Sequence, residues 1–323
     1  KMTVDDIKKN KCSGCAYCAD ICPKSAITMK LDKNGDVFPH VNDNCIDCGL
    51  CFKECAFKGG HELSMPMATY VGGRSEKDRI MDSSSGGIFA AIAEKLLQSS
   101  DWVICGCILD DELKAIHVLS SDFNDIRKMY GSKCVQSCIE GIYKKVNVEL
   151  KKGKKVLFSG TPCQIDAVKK YTRCHPNLYT IEIICHGVSS PMMFDSYMEL
   201  IGKEDIERFV FRDKRQGWSF NNKVIFKNGK EKRINHRLSS YMTYYLNGDT
   251  YREACYNCPF ALEKRGADIT IGDFWGVVRE KQNKWEGIDA EKGVSCILVN
   301  TEKGEEMLKK ASITRFSVPY DSI

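Results

Sequence analysis

Apolar and polar positions alternate along most of the chain in a way that predicts strands and helices in turn. Apolar runs typical of buried strands occupy 102–109, 116–119, 155–158, 178–185, 267–272 and 294–299, the last of these being the final strand. Residues 88–97 have apolar side chains at helical spacing after serines and glycines, which predicts an amphipathic helix with a serine cap. A second helix is expected after a tight turn at 159–164. Such alternation indicates an α/β or α+β domain.

Two Asn-Gly pairs beside apolar runs predict β-hairpins, because Asn and Gly tolerate the positive φ of a short turn. Asn34-Gly35 lies between the runs 26–29 and 37–40. Asn228-Gly229 follows the runs 208–211 and 223–226, which are expected to be antiparallel strands. The lysine-rich stretch between these regions, at 144–155, is interpreted as the solvated face of a helix.

Length and composition predict two domains with a sizeable core, since the chain has 323 residues and 43% of them are hydrophobic. We set the boundary near residue 68, which gives domains at 1–67 and 68–323, with the linker at 61–69. No apolar run approaches the ~20 residues of a transmembrane helix. A membrane span is therefore not expected.

The first sixty residues contain eight cysteines in two copies of one spacing. Each copy reads Cys-x2-Cys-x2-Cys-x3-Cys, Pro23 follows the first copy, and the copies are about 33 residues apart. This spacing holds bacterial-type [4Fe-4S] clusters, in which the fourth cysteine of each run ligates the other run's cluster. We therefore predict two clusters. Their ligands are Cys12, Cys15, Cys18 and Cys55 for the first, and Cys45, Cys48, Cys51 and Cys22 for the second.

Disulfides and zinc sites also use paired cysteines, but two such dense runs favour clusters. Because clusters need reduced thiolates and no signal peptide precedes the cysteines, a cytoplasmic location is expected. The formal charge of +5 falls when clusters are counted, since each brings about −2 in place of neutral thiols. A nucleic-acid partner is therefore not expected.

Beyond residue 82, six short blocks combine glycines, hydroxyl groups and cysteines, without a G-x-G-x-x-G fingerprint or a P-loop. The blocks are 84–87, 131–133, 159–164, 185–187, 255–258 and 267–276. In these blocks the chain resembles the coenzyme F420 hydrogenase/dehydrogenase beta-subunit family, which includes flavin iron-sulfur proteins. The resemblance implies a small ferredoxin-like 2[4Fe-4S] domain followed by a larger mixed α/β flavin-binding domain, in the α+β or α/β class.

The resemblance also implies FAD as a cofactor. The flavin-site residues that it implies are Ser84, Ser85, Gly86, Gly87, Ser132, Lys133, Gln136, Gly160 and Thr161. Glycines admit a large planar cofactor, and hydroxyl and N–H groups can hold its pyrophosphate. Lys133 is also assigned a catalytic role, because its charge would stabilise an anionic reduced flavin. The alternative for Lys133 is an ordinary surface lysine.

Four cysteines within the blocks predict a third [4Fe-4S] cluster, with Cys163, Cys185, Cys255 and Cys258 as ligands. Cys163 and Cys185 are each expected at the end of a strand, and the Cys255-x2-Cys258 pair has the spacing of one metal centre. Zinc at that pair, or buried apolar thiols, are the alternatives. His186 is a candidate proton donor to the substrate or a hydrogen-bond donor to the cluster. The other cysteines are interpreted as packing residues: Cys105, Cys107, Cys134, Cys138, Cys174 and Cys296.

These features predict a flavin iron-sulfur oxidoreductase that exchanges hydride with F420 or another small organic substrate. A ferredoxin or another redox protein is the expected partner, and the chain is expected to be a homo-oligomer or a complex subunit. The alternative is an electron-transfer subunit without a substrate site. Arg212, Lys214 and Arg215 either bind an acidic substrate or form an exposed hairpin turn.

Overall fold

The N-terminal segment folds around one hairpin and two short helices that repeat each other. In the computed structural model, which describes residues 2–76, 79–276 and 285–323, these elements are β1 (Ile27–Leu31), β2 (Val37–Val41), α1 (Tyr17–Ile21) and α2 (Leu50–Lys53). The strands pair antiparallel across the predicted Asn34-Gly35 turn. Each helix begins after a residue in the left-handed conformation, Ala16 at φ 59° and Gly49 at φ 70°. These two residues are about 33 positions apart, so the sequence repeat is also a structural repeat.

An eight-stranded mixed sheet carries the larger part of the chain. Its strands are β3 (Ala68–Arg74), β4 (Trp102–Leu109), β5 (Ala115–Ser120), β6 (Lys155–Gly160), β7 (Leu178–Ile183), β11 (Ile269–Asp273), β12 (Ser295–Val299) and β13 (Ile313–Ser317). Their order in the sheet is β13-β3-β12-β11-β7-β6-β4-β5. The strands β4, β6, β7 and β11 are parallel, so their carboxyl ends meet at one edge. Open α/β sheets bind their ligands at that edge.

Within the residues that the structure describes, a smaller antiparallel sheet and seven helices also belong to the larger part. The small sheet has the order β10-β9-β8, with β8 (Ile206–Val210), β9 (Asn222–Phe226) and β10 (Glu231–Ile234). The helices are α3 (Ile88–Leu96), α4 (Phe123–Met129), α5 (Ile142–Lys151), α6 (Pro162–Tyr171), α7 (Pro191–Leu200), α8 (Ser240–Asn247) and α9 (Glu302–Lys310). In the part of the chain that the structure describes, none of the helices is long and apolar enough to span a bilayer.

The large sheet is apolar on both faces, because helices cover each of them. Ile104, Leu157 and Ile181 face α3 on one side. Cys105 and Phe158, the next residues along two of the same strands, face α5 and α6 on the other side. Tyr17 and Ala56 of the N-terminal segment belong to this second core, so the two predicted domains share a packed apolar face.

Several predicted elements differ from the structure. The α3 helix has no serine cap, because its N-cap is Gly87 at φ 76°, without a side-chain hydrogen bond. The run 294–299 is not the last strand, since β13 follows it and pairs with β3 at the sheet edge. The stretch 178–185 is a strand only as far as Ile183. The edge strand β13 and its neighbour β3 have no strong apolar run, so the sequence pattern did not identify them.

Candidate functional site

The eight N-terminal cysteines lie in two groups of four. Each group consists of three cysteines from one run and the fourth from the other run. Burial raises the pKa of the Cys18 thiol, and the nearby thiols of Cys15, Cys12 and Cys55 raise it further. The second group lines one cavity at the far side of the segment, and its members are Cys22, Cys45, Cys48 and Cys51. These groups contain the thiols that the spacing assigns to each cluster, and their binding of two [4Fe-4S] clusters stays a prediction.

The backbone of each cysteine run turns sharply at the same position of the repeat. Gly14 and Asp47, at equivalent positions of the repeat, both have positive φ, at 68° and 51°. The hydroxyl of Ser13 is buried and has no hydrogen-bond partner. Buried polar atoms are normally bonded, and a cluster sulfide beside Cys12 would accept from this hydroxyl. The residues present therefore fit an iron-sulfur cluster.

The structure also brings Cys163, Cys185, Cys255 and Cys258 together. Burial raises the pKa of Cys163 to about 12; a hydrogen bond from Thr161 opposes the rise, and the other three thiols add to it. Cys163 does not end a strand as expected, because β6 ends at Gly160 and Cys163 lies in the first turn of α6. Cys185 lies two residues beyond β7 rather than at its end.

No group of three or more His, Cys, Asp or Glu side chains within 2–76, 79–276 and 285–323 is arranged to hold a single metal ion. Zinc at the Cys255 and Cys258 pair and a third [4Fe-4S] cluster on all four thiols both stay predictions.

The third group lies beside the first N-terminal group. Burial raises the pKa of Cys15, and of the neighbouring thiols that of Cys163 raises it most. A small apolar cluster of Phe57, Ala254 and Phe260 is contacted by cysteines of both groups. These are Cys55 of the first N-terminal group and Cys163 and Cys258 of the third group. The N-terminal module therefore presents its first cysteine group, and not its second, to the carboxyl edge of the large sheet.

The predicted flavin-site block at 84–87 lies at the same edge. The hydroxyls of Ser84 and Ser132 are 2.7 Å apart, which joins two blocks that are distant in sequence. Gly86 donates its N–H to Ser295 Oγ at 2.9 Å. A Cβ on Gly86 would lie 2.5 Å from the carbonyl oxygen of Gly72, so only glycine fits between the strands and this loop. The Ser85 hydroxyl donates to the carbonyl of Val294 at 2.7 Å.

Lys133 is not an ordinary surface lysine, because its ammonium group is enclosed. It donates to the carbonyl oxygens of Lys128, Tyr130 and Gly131 at 2.8, 3.2 and 3.2 Å, at the end of α4. Burial lowers the pKa of Lys133 to about 8, and the Cys107 thiol opposes this. Nearby His117 is buried with its Nδ1 atom unbonded, and burial lowers its pKa to about 4. This surrounding is polar and largely closed to water.

The remaining predicted flavin residues have clear structural contacts. Thr161 caps α6, with its N–H donating to Gln164 Oε1 at 3.0 Å, and a Cβ on Gly160 would lie 2.8 Å from the same oxygen. Gln136 points away from the 84–87 block, and its amide donates to the carbonyl oxygens of Ser13 and Gly14 in the N-terminal module. Direct contact of these residues with a flavin stays a prediction.

His186 lies at the carboxyl end of β7 with its ring against two tyrosines. Its Nδ1 atom is hydrogen-bonded to the Tyr251 hydroxyl, and its ring centroid is 5.0 Å from that of Tyr245. Burial lowers the pKa of His186, and the carboxylate of Asp273 opposes this effect. Burial thus favours the neutral imidazole, and Nε2 is the nitrogen not engaged by Tyr251.

The segment 212–215 does not form an exposed turn. Arg212 is buried, donates to Asp273 Oδ2 at 2.6 Å and lies over the rings of Phe220 and Trp275 at 4.6 and 5.4 Å. Lys214 is also buried, whereas Arg215 is paired with Glu231 at the surface. Sequence reasoning missed Asp273 as a functional candidate, although it stands in a family block at the end of β11. A carboxylate after a buried strand was the available signal.

Of the cysteines interpreted as packing residues, Cys105, Cys134 and Cys296 are buried as expected. Cys107 is partly buried. The interpretation was wrong for Cys138 and Cys174, which are exposed. Cys138 pairs with the edge strand β5 through a single bridge to Ile116, and Cys174 lies in the loop after α6.

The cysteine groups, the ferredoxin-type repeat and the polar residues at the carboxyl edge of the large sheet are together typical of an electron-transfer iron-sulfur protein. Residues 11–58 match the 4Fe-4S dicluster domain. Residues 153–317 match the family described as the C terminus of the coenzyme F420 hydrogenase/dehydrogenase beta subunit. Since the second match covers half of the chain, the protein belongs to the coenzyme F420 hydrogenase/dehydrogenase beta-subunit family. The predicted family and iron-sulfur module are confirmed, and they indicate an electron-transfer oxidoreductase.

Individual relatives agree with this assignment. The coenzyme F420-dependent sulfite reductase of Methanocaldococcus jannaschii is 23% identical over 316 residues, which are 92% of this chain and 45% of that protein. An uncharacterized ferredoxin of the same organism is 33% identical over 49 residues, which are 15% of this chain and 64% of that protein. The chain thus spans less than half the length of the sulfite reductase.

A solved structure is similar in fold. It is a chain of the F420-reducing [NiFe] hydrogenase complex from Methanosarcina barkeri, with a TM-score of 0.53 and 16% sequence identity. The similarity covers 79% of this chain and 83% of that chain. At this identity the likeness shows the fold alone, and it confirms the predicted fold class.

Proposed function

We propose that this chain is a flavin iron-sulfur oxidoreductase that moves electrons between ferredoxin-type [4Fe-4S] clusters and FAD. The observation that carries the proposal is the contact of Cys55, Cys163 and Cys258 with one apolar cluster. Through it, the first N-terminal cysteine group adjoins the third group, and the third group adjoins the sheet edge. The proposed ligands of the third [4Fe-4S] cluster are Cys163, Cys185, Cys255 and Cys258.

The residues at the carboxyl edge fit a flavin. Several buried polar atoms around the predicted site have no partner in the described structure, among them Ser83 Oγ, His117 Nδ1 and Arg212 Nη2. Orphaned polar atoms of this kind are rare in closed cores, and a polar cofactor would bond them. The hydroxyls of Ser84 and Ser132 and the N–H groups near Gly87 would hold the phosphates of FAD. When bound, FAD supplies the conversion between single-electron and hydride transfer.

The chain's own residues would position charge and protons around that site. Lys133 has a pKa of about 8 and is mostly protonated at pH 7, so it places a positive charge in the enclosed region behind Ser132. His186 is bonded to Tyr251, and we assign it either proton exchange with the substrate or a supporting contact to Cys185.

Arg212, Asp273 and the stacked rings of Trp218 and Trp275, whose centroids are 4.1 Å apart, are proposed to bind a planar organic substrate. F420 or another hydride acceptor is the proposed substrate class, and a ferredoxin or similar redox protein the proposed partner. A cytoplasmic location is part of the proposal, because the proposed clusters need reduced thiolates.

The alternative is an electron-transfer subunit that docks to a larger hydrogenase or dehydrogenase and has no substrate site. The similar solved chain belongs to a hydrogenase complex, which favours this alternative. The two functions differ in what the isolated chain can do. The oxidoreductase, purified alone, oxidises reduced F420 or reduces a substrate with ferredoxin, whereas the subunit exchanges electrons only with a protein partner. Failure of every hydride donor and acceptor with fully loaded protein would favour the subunit.

Iron, sulfide and flavin analysis of anaerobically purified protein tests the cofactors. We expect about twelve irons per chain and FAD release on denaturation. Cys258→Ser is expected to lose about four irons, whereas the matched control Cys138→Ser, an exposed cysteine outside all three groups, keeps the full content. About eight irons in the unmodified protein would contradict the third cluster. Absence of flavin after reconstitution with FAD would contradict the oxidoreductase.

A further inference from the structure

Arg252 is the largest fully buried side chain of the described structure, with 1% of its surface exposed. It lies where the N-terminal module meets the larger part of the chain. Its Nε atom donates to the carbonyl oxygen of Cys12 at 2.7 Å, and its Nη1 atom donates to Gln136 Oε1 at 3.2 Å. Its guanidinium group lies 4.0 Å from the ring centroid of Phe38. The side chain is therefore held by three separate contacts.

Arg252 also adjoins the third cysteine group through its backbone. The N–H of Cys255 donates to the carbonyl oxygen of Arg252 at 2.8 Å, and the N–H of Arg252 donates to the carbonyl oxygen of Val188 at 2.9 Å. One residue thus bonds the backbone of a proposed ligand of the first cluster, Cys12, and of a proposed ligand of the third cluster, Cys255. Arg252 therefore links the backbones of the two cysteine groups.

The charge of Arg252 has no partner of opposite sign in the part of the chain that the structure describes. It makes no ion pair within 2–76, 79–276 or 285–323, and its Nη2 atom has no hydrogen-bond partner. Asp36 is near enough for Arg252 to lower its pKa, but burial raises that pKa by more, and the two side chains are not paired. A buried, uncompensated charge is strongly unfavourable. Its presence indicates that an anion is expected here.

We propose that Arg252 is a positioning residue that acts as the counter-cation of the first and third iron-sulfur clusters and raises their reduction potentials. The proposal rests on the proposed function. A [4Fe-4S] cluster with four thiolates carries about −2 and becomes more negative on reduction. A fixed positive charge stabilises the reduced form more than the oxidised form, so it raises the potential. The hydrogen bond to Cys12 and the bond to Gln136 keep that charge between the two cysteine groups.

The test compares variants of Arg252 in the complete, cluster-loaded protein. Arg252→Gln removes the charge, and Arg252→Lys keeps it on a shorter and more compact group. The control is Arg315→Gln, because Arg315 also lies over an aromatic ring, Tyr70 at 4.3 Å, but bonds Glu305 far from the cysteine groups. Iron content and EPR-monitored redox titration of each protein are measured, with thermal unfolding as a check on folding.

The expected result is a lower potential of two of the three clusters in Arg252→Gln, with iron content unchanged. Arg252→Lys should keep both potentials closer to those of the unmodified protein, and Arg315→Gln should change none. Unchanged potentials in a fully loaded Arg252→Gln protein overturn the proposal. If Arg252→Gln loses iron, the cluster potentials of Arg252→Lys are the deciding measurement. A fall of these potentials below those of the unmodified protein, although the positive charge is kept, overturns the proposal. Iron loss from both variants would identify a folding residue and overturn it as well.

Failure of the proposed function gives a different result from failure of this proposal. If the unmodified protein contains about eight irons, the third cluster is absent, yet the potential of the first cluster still responds to Arg252→Gln. If the protein contains about twelve irons and no potential responds, the function stands and the role of Arg252 is wrong.

Discussion

Lys214 shows how the surroundings of a single residue decide its chemistry. The sequence places it in a basic segment before Gly217, which is typical of a surface turn. In the structure it is 3% exposed, and its ammonium group donates to the carbonyl oxygens of Ser85 and Ile80. Gly293 makes this possible, because a Cβ there would lie 2.6 Å from the Ser85 carbonyl. Lys214 therefore holds the loop that carries the proposed flavin block.

The buried Lys214 predicts a pH-dependent stability. Burial lowers the pKa of Lys214 to about 7, the charge of Arg212 lowers it further and Asp273 opposes this. Between about pH 7 and its ordinary pKa, the unfolded chain holds a proton that the folded chain lacks, so the free energy of unfolding rises with pH. The gain is up to about 1.4 kcal/mol per pH unit.

Denaturant unfolding between pH 7 and pH 10 measures this gain against Lys214→Met, which lacks the titrating group. The free energy of unfolding of the unmodified chain should rise relative to that of Lys214→Met as the pH rises. Parallel curves for the two proteins would show that Lys214 does not titrate in this range.

At the scale of elements, the N-terminus of α5 depends on a side chain from the other module. Gly141 precedes this helix without a side-chain cap of its own. The buried carboxylate of Asp20, from α1, accepts from the N–H groups of Gly141 and Tyr143 at 2.7 and 3.0 Å. The Tyr143 hydroxyl returns a bond to the carbonyl oxygen of Cys15 at 2.8 Å. Helix capping and attachment of the modules are thus one interaction.

Asp20→Ala should loosen the attachment as well as the helix. Loss of a cap costs about 1–2 kcal/mol, and the freed N–H groups are buried. The matched control is Asp122→Ala, which removes the N-cap of α4 within the larger part of the chain. Both variants should unfold more easily, but only Asp20→Ala should be cleaved faster by protease at 61–67, the part of the predicted linker that precedes β3. Equal cleavage of the two variants would argue against a role of Asp20 in attachment.

At the scale of the whole molecule, the three cysteine groups follow one another from the surface to the sheet edge. The group containing Cys48 is the most accessible, since Cys48 is exposed, whereas the group containing Cys15 adjoins Cys163. Electrons from a protein partner would therefore enter at the Cys48 group. This order follows from the direction in which the N-terminal repeat packs on α5 and α6.

Cys48→Ala is expected to remove the entry cluster and leave the other two. Iron content should fall by about four atoms, and reduction of the proposed flavin by reduced ferredoxin should slow by at least roughly tenfold. A small diffusible reductant should still reduce the remaining centres, because it does not need the outer site. Stopped-flow absorbance measures both rates. Cys174→Ser, another exposed cysteine, is the control, and an unchanged rate with ferredoxin would contradict the proposed order.

The strands and helices of strong periodicity were predictable, and the weakly patterned elements were not. The runs that became β4, β6 and β12 are apolar enough to be recognised alone, because they are buried on both faces. The edge strand β13 and the helix α8 have mixed composition, and neighbours distant in sequence stabilise them. The predicted serine cap of α3 was wrong for a similar reason. The close approach of β3 requires glycine at positions 86 and 87, and this contact is not visible in the local sequence.

The sequence alone predicted which thiols group together in the N-terminal module, because three ligands of each cluster lie within one short loop and the fourth comes from the other copy of that loop. It also identified the family, through blocks of residues that lie at turns of the backbone. Tertiary structure decided what these groups face. The burial of Lys214, the cap from Asp20 and the unpaired charge of Arg252 each depend on contact between segments more than a hundred residues apart. Long-range contacts of this kind leave no local pattern, since each partner alone resembles an ordinary polar residue.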